Sequence, residues 1–411
     1  MKQLEMKNIV DANKADVDTK KPNGRVAKFF GRFIQTAGLL CSLAAASCNL
    51  EYSGMPRPDI TDARQDTVAA DTVKVDSSKK DGGKDLSADA MHDLKVSDIL
   101  APDTKLQWWD LNWKYCREIT VSGSFPADYQ LNVKLDSSNF DFSHANSDLS
   151  DLRFFEGSCV DPDTSIGVLP AWAEKVDSVN GSSIWVKGKT ANATQLAMYY
   201  GNSNAASTFD GNKTFDFFED CNDVSDWTVV KNTSSTYAPT FSSVSGKCRL
   251  SGTNADGYAY ATSYSFKDII LEMELTLDYT PGGNDAGFIA RRKDDDHYYQ
   301  LGVNFVANNV AAIAKDAAHL AIKTLSYTFG TGVKKNIRAD LNLTSLELKV
   351  DGSTKVSATD STYSSTGAMG VVMECKNESG GGYCQYTMDD IRARKLISPE
   401  PTNQIGAEKK P

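Results

Sequence analysis

The stretch Ile269-Ile270-Leu271-Glu272-Met273-Glu274-Leu275-Thr276-Leu277 sets Ile269, Leu271, Met273, Leu275 and Leu277 against Glu272, Glu274 and Thr276 at every second position. Successive side chains of an extended chain point to opposite faces, so this is a strand with one apolar face. The scheme recurs downstream. Tyr299, Leu301, Val303 and Phe305 alternate with Tyr298, Gln300 and Asn304, and Leu346, Leu348 and Val350 with Glu347 and Lys349. Strands that each carry one apolar face build two sheets packed face to face, with polar outer faces. Phe215-Asp216-Phe217-Phe218-Glu219-Asp220 opens this region and Met388-Asp389-Asp390-Ile391-Arg392-Ala393 closes it, which bounds a module at 214–396.

Upstream, Trp108, Trp109, Trp113 and Tyr115 mark an abrupt change to aromatic-rich sequence. Ile119 and Val121, then Leu131, Val133 and Leu135, then Leu152 and Phe154, then Ile184 and Val186, then Leu196, Met198 and Tyr200 again follow a period of two. Asn180-Gly181 and Asp136-Ser137-Ser138 supply turns between them. A first β-sandwich is therefore expected at 106–212. The expected fold class is all-β: two β-sandwich domains after a signal peptide and a disordered tether.

The blocks Trp113-Lys114-Tyr115-Cys116-Arg117, Asp148-Leu149-Ser150-Asp151-Leu152-Arg153-Phe154, Leu169-Pro170-Ala171-Trp172, Ile184-Trp185-Val186 and Tyr199-Tyr200-Gly201-Asn202 look like a domain of unknown function common in bacterial and archaeal envelope proteins. That resemblance implies a surface β module and nothing catalytic. The blocks Gly246-Lys247-Cys248-Arg249-Leu250, Gly287-Phe288-Ile289-Ala290-Arg291, Asp296 to Val303, Val350-Asp351-Gly352 and Gly367 to Val371 resemble the concanavalin-like jelly roll of laminin-G-type lectin modules, with bacterial glucanases and keto-disaccharide hydrolases among its relatives. A fold of this kind hosts many functions, so the resemblance implies architecture before ligand.

In that fold one outer face is concave and holds sugars by stacked aromatics and bidentate polar groups. The resemblance thus makes Glu272, Glu274, Arg291, Tyr298, Gln300 and Asn304 candidates for a carbohydrate-facing surface: a Tyr ring stacks on a sugar's C–H face while Arg and Glu hydrogen-bond its hydroxyls. The related glucanases place three acids at alternate positions over about five residues, and here Thr276 stands at the third place. The catalytic pattern is broken, so no catalytic residue is assigned and the reading leans away from an enzyme. Modules of this fold also tie their first and last strands with calcium, which by analogy singles out Glu219, Asp220, Asp389 and Asp390; no other cofactor is required.

The 411-residue chain has a formal charge of −10, which argues against nucleic acid, because phosphate contacts need a clustered basic face. Its four histidines are too scattered in sequence to suggest a metal or triad site. No window reaches the roughly 18–20 uncharged apolar residues of a spanning helix, which excludes a multi-pass channel. Residues 1–32 carry eight Lys/Arg against four acids, and 33–50 carry no charge: a basic region followed by a short apolar one is a secretory signal. Ala45-Ala46-Ser47-Cys48 resembles the bacterial lipobox, which implies cleavage after residue 47, lipidation of Cys48 and a firm membrane anchor through several acyl chains. Asn49 after the cysteine resembles outer-membrane sorting in a Gram-negative cell. Without residues 1–47, which hold eight basic and four acidic residues, 36 basic stand against 50 acidic residues, a charge of −14. Residues 48–105 combine the anchor with a tether: 51–105 hold twelve acids, eight basic residues and one aromatic, Tyr52, a composition that stays solvated and reaches ~40 Å as a flexible chain. The last stretch, 397–411, is expected to be a disordered tail.

Six cysteines remain beyond Cys41 and Cys48. Two fall in the first module and four in the second, and Cys375 and Cys384 flank a hairpin-like loop. The expected disulfides are Cys116–Cys159, Cys221–Cys248 and Cys375–Cys384, which form outside the cytosol. The sequence as a whole reads as a lipid-anchored cell-envelope protein that presents a lectin-like module for binding a polysaccharide or glycoprotein. Its rivals are a glycoside or keto-sugar hydrolase and a structural, protein-binding surface lipoprotein.

Overall fold

The computed structural model describes residues 108–233, 235–279, 284–303, 309–375 and 382–411. The signal, lipidation and tether expectations at 1–105 lie outside the described residues, as does Asn304. No helix of the described residues is long and apolar enough to cross a membrane.

The described chain is all-β. In the first module, strands Tyr129–Leu135, Ser182–Gly188 and Ala171–Lys175 form a three-stranded sheet. A five-stranded sheet runs in the spatial order Thr402–Lys409, Tyr115–Ser122, Gln195–Tyr200, Arg153–Ser158 and Asp161–Pro162. Leu131, Val133, Ile184 and Val186 from one sheet meet Ile119, Phe154, Leu196 and Met198 from the other in one buried cluster, which is the sandwich that the alternation predicts.

The outermost strand of this sheet comes from the far end of the chain and corrects one expectation. Residues 397–411 are not a tail: Thr402–Lys409 pairs antiparallel with Tyr115–Ser122. Ile405 packs against the first core, and the Glu408 carboxylate accepts from the Tyr200 hydroxyl at 2.8 Å while His144 Nδ1 lies 2.9 Å away. An edge strand buries little on either face, so it needs almost no apolar pattern, and this one carries a single large aliphatic residue.

The second module is a two-sheet β-sandwich. One sheet runs Thr240–Val244, Lys247–Thr253, Tyr383–Lys395, Ile269–Tyr279, Lys334–Asn342, Ser345–Val350 and Ser353–Thr359, with Phe217–Glu219 beside Tyr383–Lys395. The other runs Leu320–Ser326, Val310–Lys315, Tyr299–Val303, Asn284–Arg292, Gly367–Cys375, Asp256–Phe266 and Trp227–Lys231. Leu271, Met273, Leu275, Leu277, Leu346 and Leu348 from the first sheet pack on Phe288, Tyr299, Leu301, Val303, Val371 and Met373 from the second. All three expected disulfides are present: Cys116–Cys159, Cys221–Cys248 and Cys375–Cys384.

A single helical turn, Gly211–Thr214, joins the modules, capped by Asp210, whose side chain accepts from the Lys213 N–H. Gly211 is required there: a Cβ would stand 2.3 Å from the Phe218 ring. Phe218 belongs to an aromatic cluster with Trp185, Phe215 and Trp172, so this glycine lets the linker lie flat against the interface between the modules.

Candidate functional site

In Tyr383–Lys395, Ile391 and Ala393 point into the second core. The strand period then sends Arg392 and Arg394 to the outer face of the sheet, where Glu272 stands opposite Arg392 in register. That face meets the three-stranded sheet of the first module. Between them lies a cleft of about 360 Å³, lined by Asn132, Lys134, Glu174, Ser183 and Trp185 of the first module, Glu272, Asn336, Arg338, Arg392 and Arg394 of the second, and Glu400 of the returning segment. Its volume falls within the range of about 300–1,000 Å³ of ligand pockets.

The arginines and glutamates of the cleft form one ion-pair network. Arg392 Nε donates to Glu272 Oε2 at 2.9 Å, and its other arm reaches Glu174. Arg394 donates to Glu272 at 3.1 Å and to Glu400 at 3.0 Å. Arg338 lies 2.6 Å from Glu400 and 2.5 Å from Asp340. Trp185 Nε1 donates to Glu174 at 3.1 Å, and the Arg394 guanidinium lies 4.7 Å from the centre of the Trp185 ring, a cation–π contact. Burial alone would raise the Glu272 carboxyl, but Arg394, Arg392 and Arg338 outweigh it and hold it well below the usual carboxylate range. Glu400 is lowered in the same way, burial again opposing and Arg394 prevailing.

The expected site residues separate in space. Glu272 is in the cleft, but as a buried ion-pair partner. Glu274, two residues along the same face, binds Lys334 at 2.8 Å and does not line the cleft. Arg291 is 2% exposed, and its guanidinium donates to the carbonyls of Lys267 and Tyr363 at 2.8 and 3.0 Å, which ties loops together. Tyr298 and Gln300 do lie on the outer side of the other sheet, opposite Tyr299 and Leu301, but they are 1% and 0% exposed. Tyr298 packs with Tyr258, Ile289, Ala312 and Val372, so its ring is not presented for stacking on a sugar.

The four carboxylates expected to hold calcium do not converge. Glu219 accepts from the Cys221 N–H at 2.7 Å and from Trp227 Nε1 at 2.8 Å, and burial raises its carboxyl. Asp389 pairs with Lys247, Asp220 accepts from the Asn222 N–H at 3.0 Å, and burial next to Asp389 pushes Asp390 up to about 6. Among the described residues, ligand atoms approach within 4.8 Å of one another in two groups of three, Glu219–Cys221–Cys248 and Asp256–His319–Glu374. The first contains a disulfide, whose sulfurs are spent. The residues at the ends of the module therefore do not fit a calcium ion.

Chemically, the cleft offers fixed donors and acceptors: three arginines paired with three glutamates, and Lys134 at the rim. A glycosidase acid is protonated at working pH, whereas Glu272 is held ionised; Asp390 and Glu219, whose carboxyls are raised, do not line the cleft. Sequence reasoning missed Arg338, Arg392, Arg394, Glu400 and Trp185. The signal for two of them was present: the alternation of Ile391 and Ala393 with Arg392 and Arg394 puts both arginines on the face that carries Glu272.

A family described as a domain of unknown function (DUF2341) matches residues 148–230, in agreement with the resemblance read from Asp148–Phe154, Trp172 and Tyr199–Asn202. No curated protein matches the chain. Among solved structures, the carbohydrate-binding module CBM66 from Bacillus subtilis is 15% identical, with a TM-score of 0.35, over 41% of this chain and 96% of its own. A protein of unknown function with a galectin-like fold from Bacillus subtilis is 11% identical, with a TM-score of 0.36, over 44% of this chain and 96% of its own. A laminarinase from Flavobacterium sp. UMI-01 is 12% identical, with a TM-score of 0.35, over 44% of this chain and 100% of its own.

Proposed function

We propose that this chain is a lipid-anchored cell-envelope protein that binds a glycan, and that it binds in the cleft between its two modules. The observation that carries the reading is the cleft's composition: three arginines and three glutamates, already paired with one another, line a pocket of ligand size together with Asn132, Asn336 and Ser183. A charged ligand would have to break these pairs to reach the buried groups, Lys134 at the rim being the cleft's one further charge. A neutral polyhydroxyl ligand needs only fixed donors and acceptors around it, which prepaired guanidinium and carboxylate groups supply at little reorganisation cost. The lipobox-like Ala45–Cys48, the three disulfides and the acidic tether support an exported, outer-membrane or surface location.

Polysaccharide pull-down and glycan arrays with the chain from residue 48 test the reading. Lys134→Ala and Asn336→Ala, at the exposed rim of the cleft, are expected to weaken glycan capture at least about tenfold, the equivalent of one lost polar contact of ~1.4 kcal/mol, while the melting temperature stays unchanged. Capture that both variants retain would move the ligand elsewhere, and no capture of any glycan would favour a protein-binding role for the same interface.

A further inference from the structure

The outer side of the sheet that ends in Leu320–Ser326 brings together three residues that no sequence motif connects. Asp256 is the first residue of strand Asp256–Phe266, and Glu374 stands opposite it in register near the end of Gly367–Cys375. His319 comes from the turn after Val310–Lys315 and reaches them across Tyr299–Val303 and Asn284–Arg292, the two strands that lie between. One ligand atom from each of the three lies within 4.8 Å of the others. Asp256 is 4% exposed, and its Oδ1 is buried with no hydrogen-bond partner among the described residues, although a buried carboxylate oxygen left without a partner carries the full desolvation cost.

The histidine is oriented from behind. Gln300 is fully buried; its Nε2 donates to the Asp316 carbonyl at 3.4 Å, which leaves Oε1 to accept from His319 Nδ1 at 2.8 Å. With Nδ1 carrying its hydrogen, Nε2 is the nitrogen turned toward Asp256, 3.3 Å from Oδ2, and Asn232 Nδ2 lies 3.4 Å from it on another side. An imidazole nitrogen and a carboxylate oxygen facing each other need a positive charge between them, either a proton or a metal ion. An outer amide oxygen that fixes the far ring nitrogen is the arrangement that supports metal-bound histidines.

We propose that Asp256, His319 and Glu374 bind a divalent transition-metal ion of the zinc type, with Gln300 holding the histidine in its ligating orientation. One imidazole and two carboxylates match the ligand preferences of zinc and its neighbours, whereas calcium takes oxygen alone. Two carboxylates against a neutral imidazole leave a charge that a divalent ion cancels. The ion ties the Asp256 and Glu374 strands to the turn that carries His319, so it braces the outer side of this sheet.

Titration calorimetry of the chelator-stripped full chain with Zn2+ alone is expected to show one equivalent bound, with no comparable heat from Ca2+. Asp256→Asn and His319→Gln are expected to weaken zinc binding at least about 100-fold, and Gln300→Met about 10- to 100-fold through loss of orientation; His297→Gln, at an exposed histidine, leaves it unchanged. Absence of zinc binding, or binding that survives His319→Gln, overturns the site and leaves a proton between the ring and Asp256. Should the variants fail to fold, X-ray absorption of the zinc-loaded wild type decides: one imidazole nitrogen with carboxylate oxygens supports the site, and an all-oxygen or sulfur shell refutes it.

Discussion

The two outer faces of the second module have the same origin in sequence and opposite fates. On one sheet, Glu272, Arg392, Arg394 and Arg338 face the first module and form a charged network around a cleft. On the other, Tyr258, Ile289, Tyr298, Ala312 and Val372 form a buried apolar cluster, with one arginine, Arg292, donating to the Tyr258 hydroxyl and the Asp256–His319–Glu374 group beside it. Both are the off-core face of alternating strands. Alternation tells which side of a strand avoids its own core; it does not tell what lies over that side. A polar outer face covered by another module becomes an ion-pair network, because a buried charge is tolerated only with a partner.

The sharpest way to break the comparison is to remove residues 397–411. Loss of Glu400 leaves Arg394 and Arg338 each short of a partner; its side chain is 36% exposed, so the cost falls below the ~3–5 kcal/mol of a fully buried pair. The edge strand on Tyr115–Ser122 is lost as well, each net hydrogen bond adding about 0.5–1.5 kcal/mol. Urea unfolding is expected to show a loss of about 5 kcal/mol, most of it from the strand pairing, felt in the first module although the deleted residues follow the second. An unchanged midpoint would mean that the returning strand is dispensable.

Glu272→Gln is next. It keeps the shape and removes the charge that Arg392 and Arg394 share, so a loss of about 3 kcal/mol is expected. The sign with pH follows from its lowered carboxyl: this stabilisation is fully present above the ordinary carboxylate value and is lost only as pH falls below it, through the depressed value of the folded state. Wild type and variant should therefore differ most at neutral pH and converge in strong acid. The equivalent change on the other face, Tyr298→Phe, removes no charge and is expected to cost about 1 kcal/mol or less.

Most of the architecture was legible because it rests on local alternation. Leu271 to Leu277 and Tyr299 to Val303 fixed strands and core faces, and the cysteine distribution fixed the pairings. The residues that went astray are those whose role depends on what covers them. Alternation with Tyr299 and Leu301 puts Tyr298 on the off-core side, yet that side is packed too. Thr402–Lys409 carried no strand pattern because an edge strand with one aliphatic anchor needs none. The grouping of Asp256, His319 and Glu374 spans more than a hundred residues and is set by sheet order, which no spacing rule encodes. Four histidines scattered in sequence suggest no metal site, whereas the fold sets one of them, His319, beside two carboxylates from other strands.

The one stabilising change expected concerns Asp390, at the edge of the charged face. Burial and the neighbouring Asp389 raise its carboxyl from 3.8 to about 6, so the folded protein binds a proton more readily there than the unfolded chain does. Stability from this group is then present below about pH 4 and declines as pH rises through 6. Asp390→Asn is expected to stabilise the protein by about 1–2 kcal/mol at pH 7.5, less than the full shift implies because the group is partly solvated, and by nothing at pH 4. Asparagine also suits the backbone, since Asp390 sits at φ 50° and this residue type tolerates the left-handed region. Urea midpoints of the two proteins at both pH values check it. A gain of equal size at pH 4 would point to the backbone and not the charge, and would show that the carboxylates on this face lack the mutual repulsion that distinguishes it from the apolar face across the sandwich.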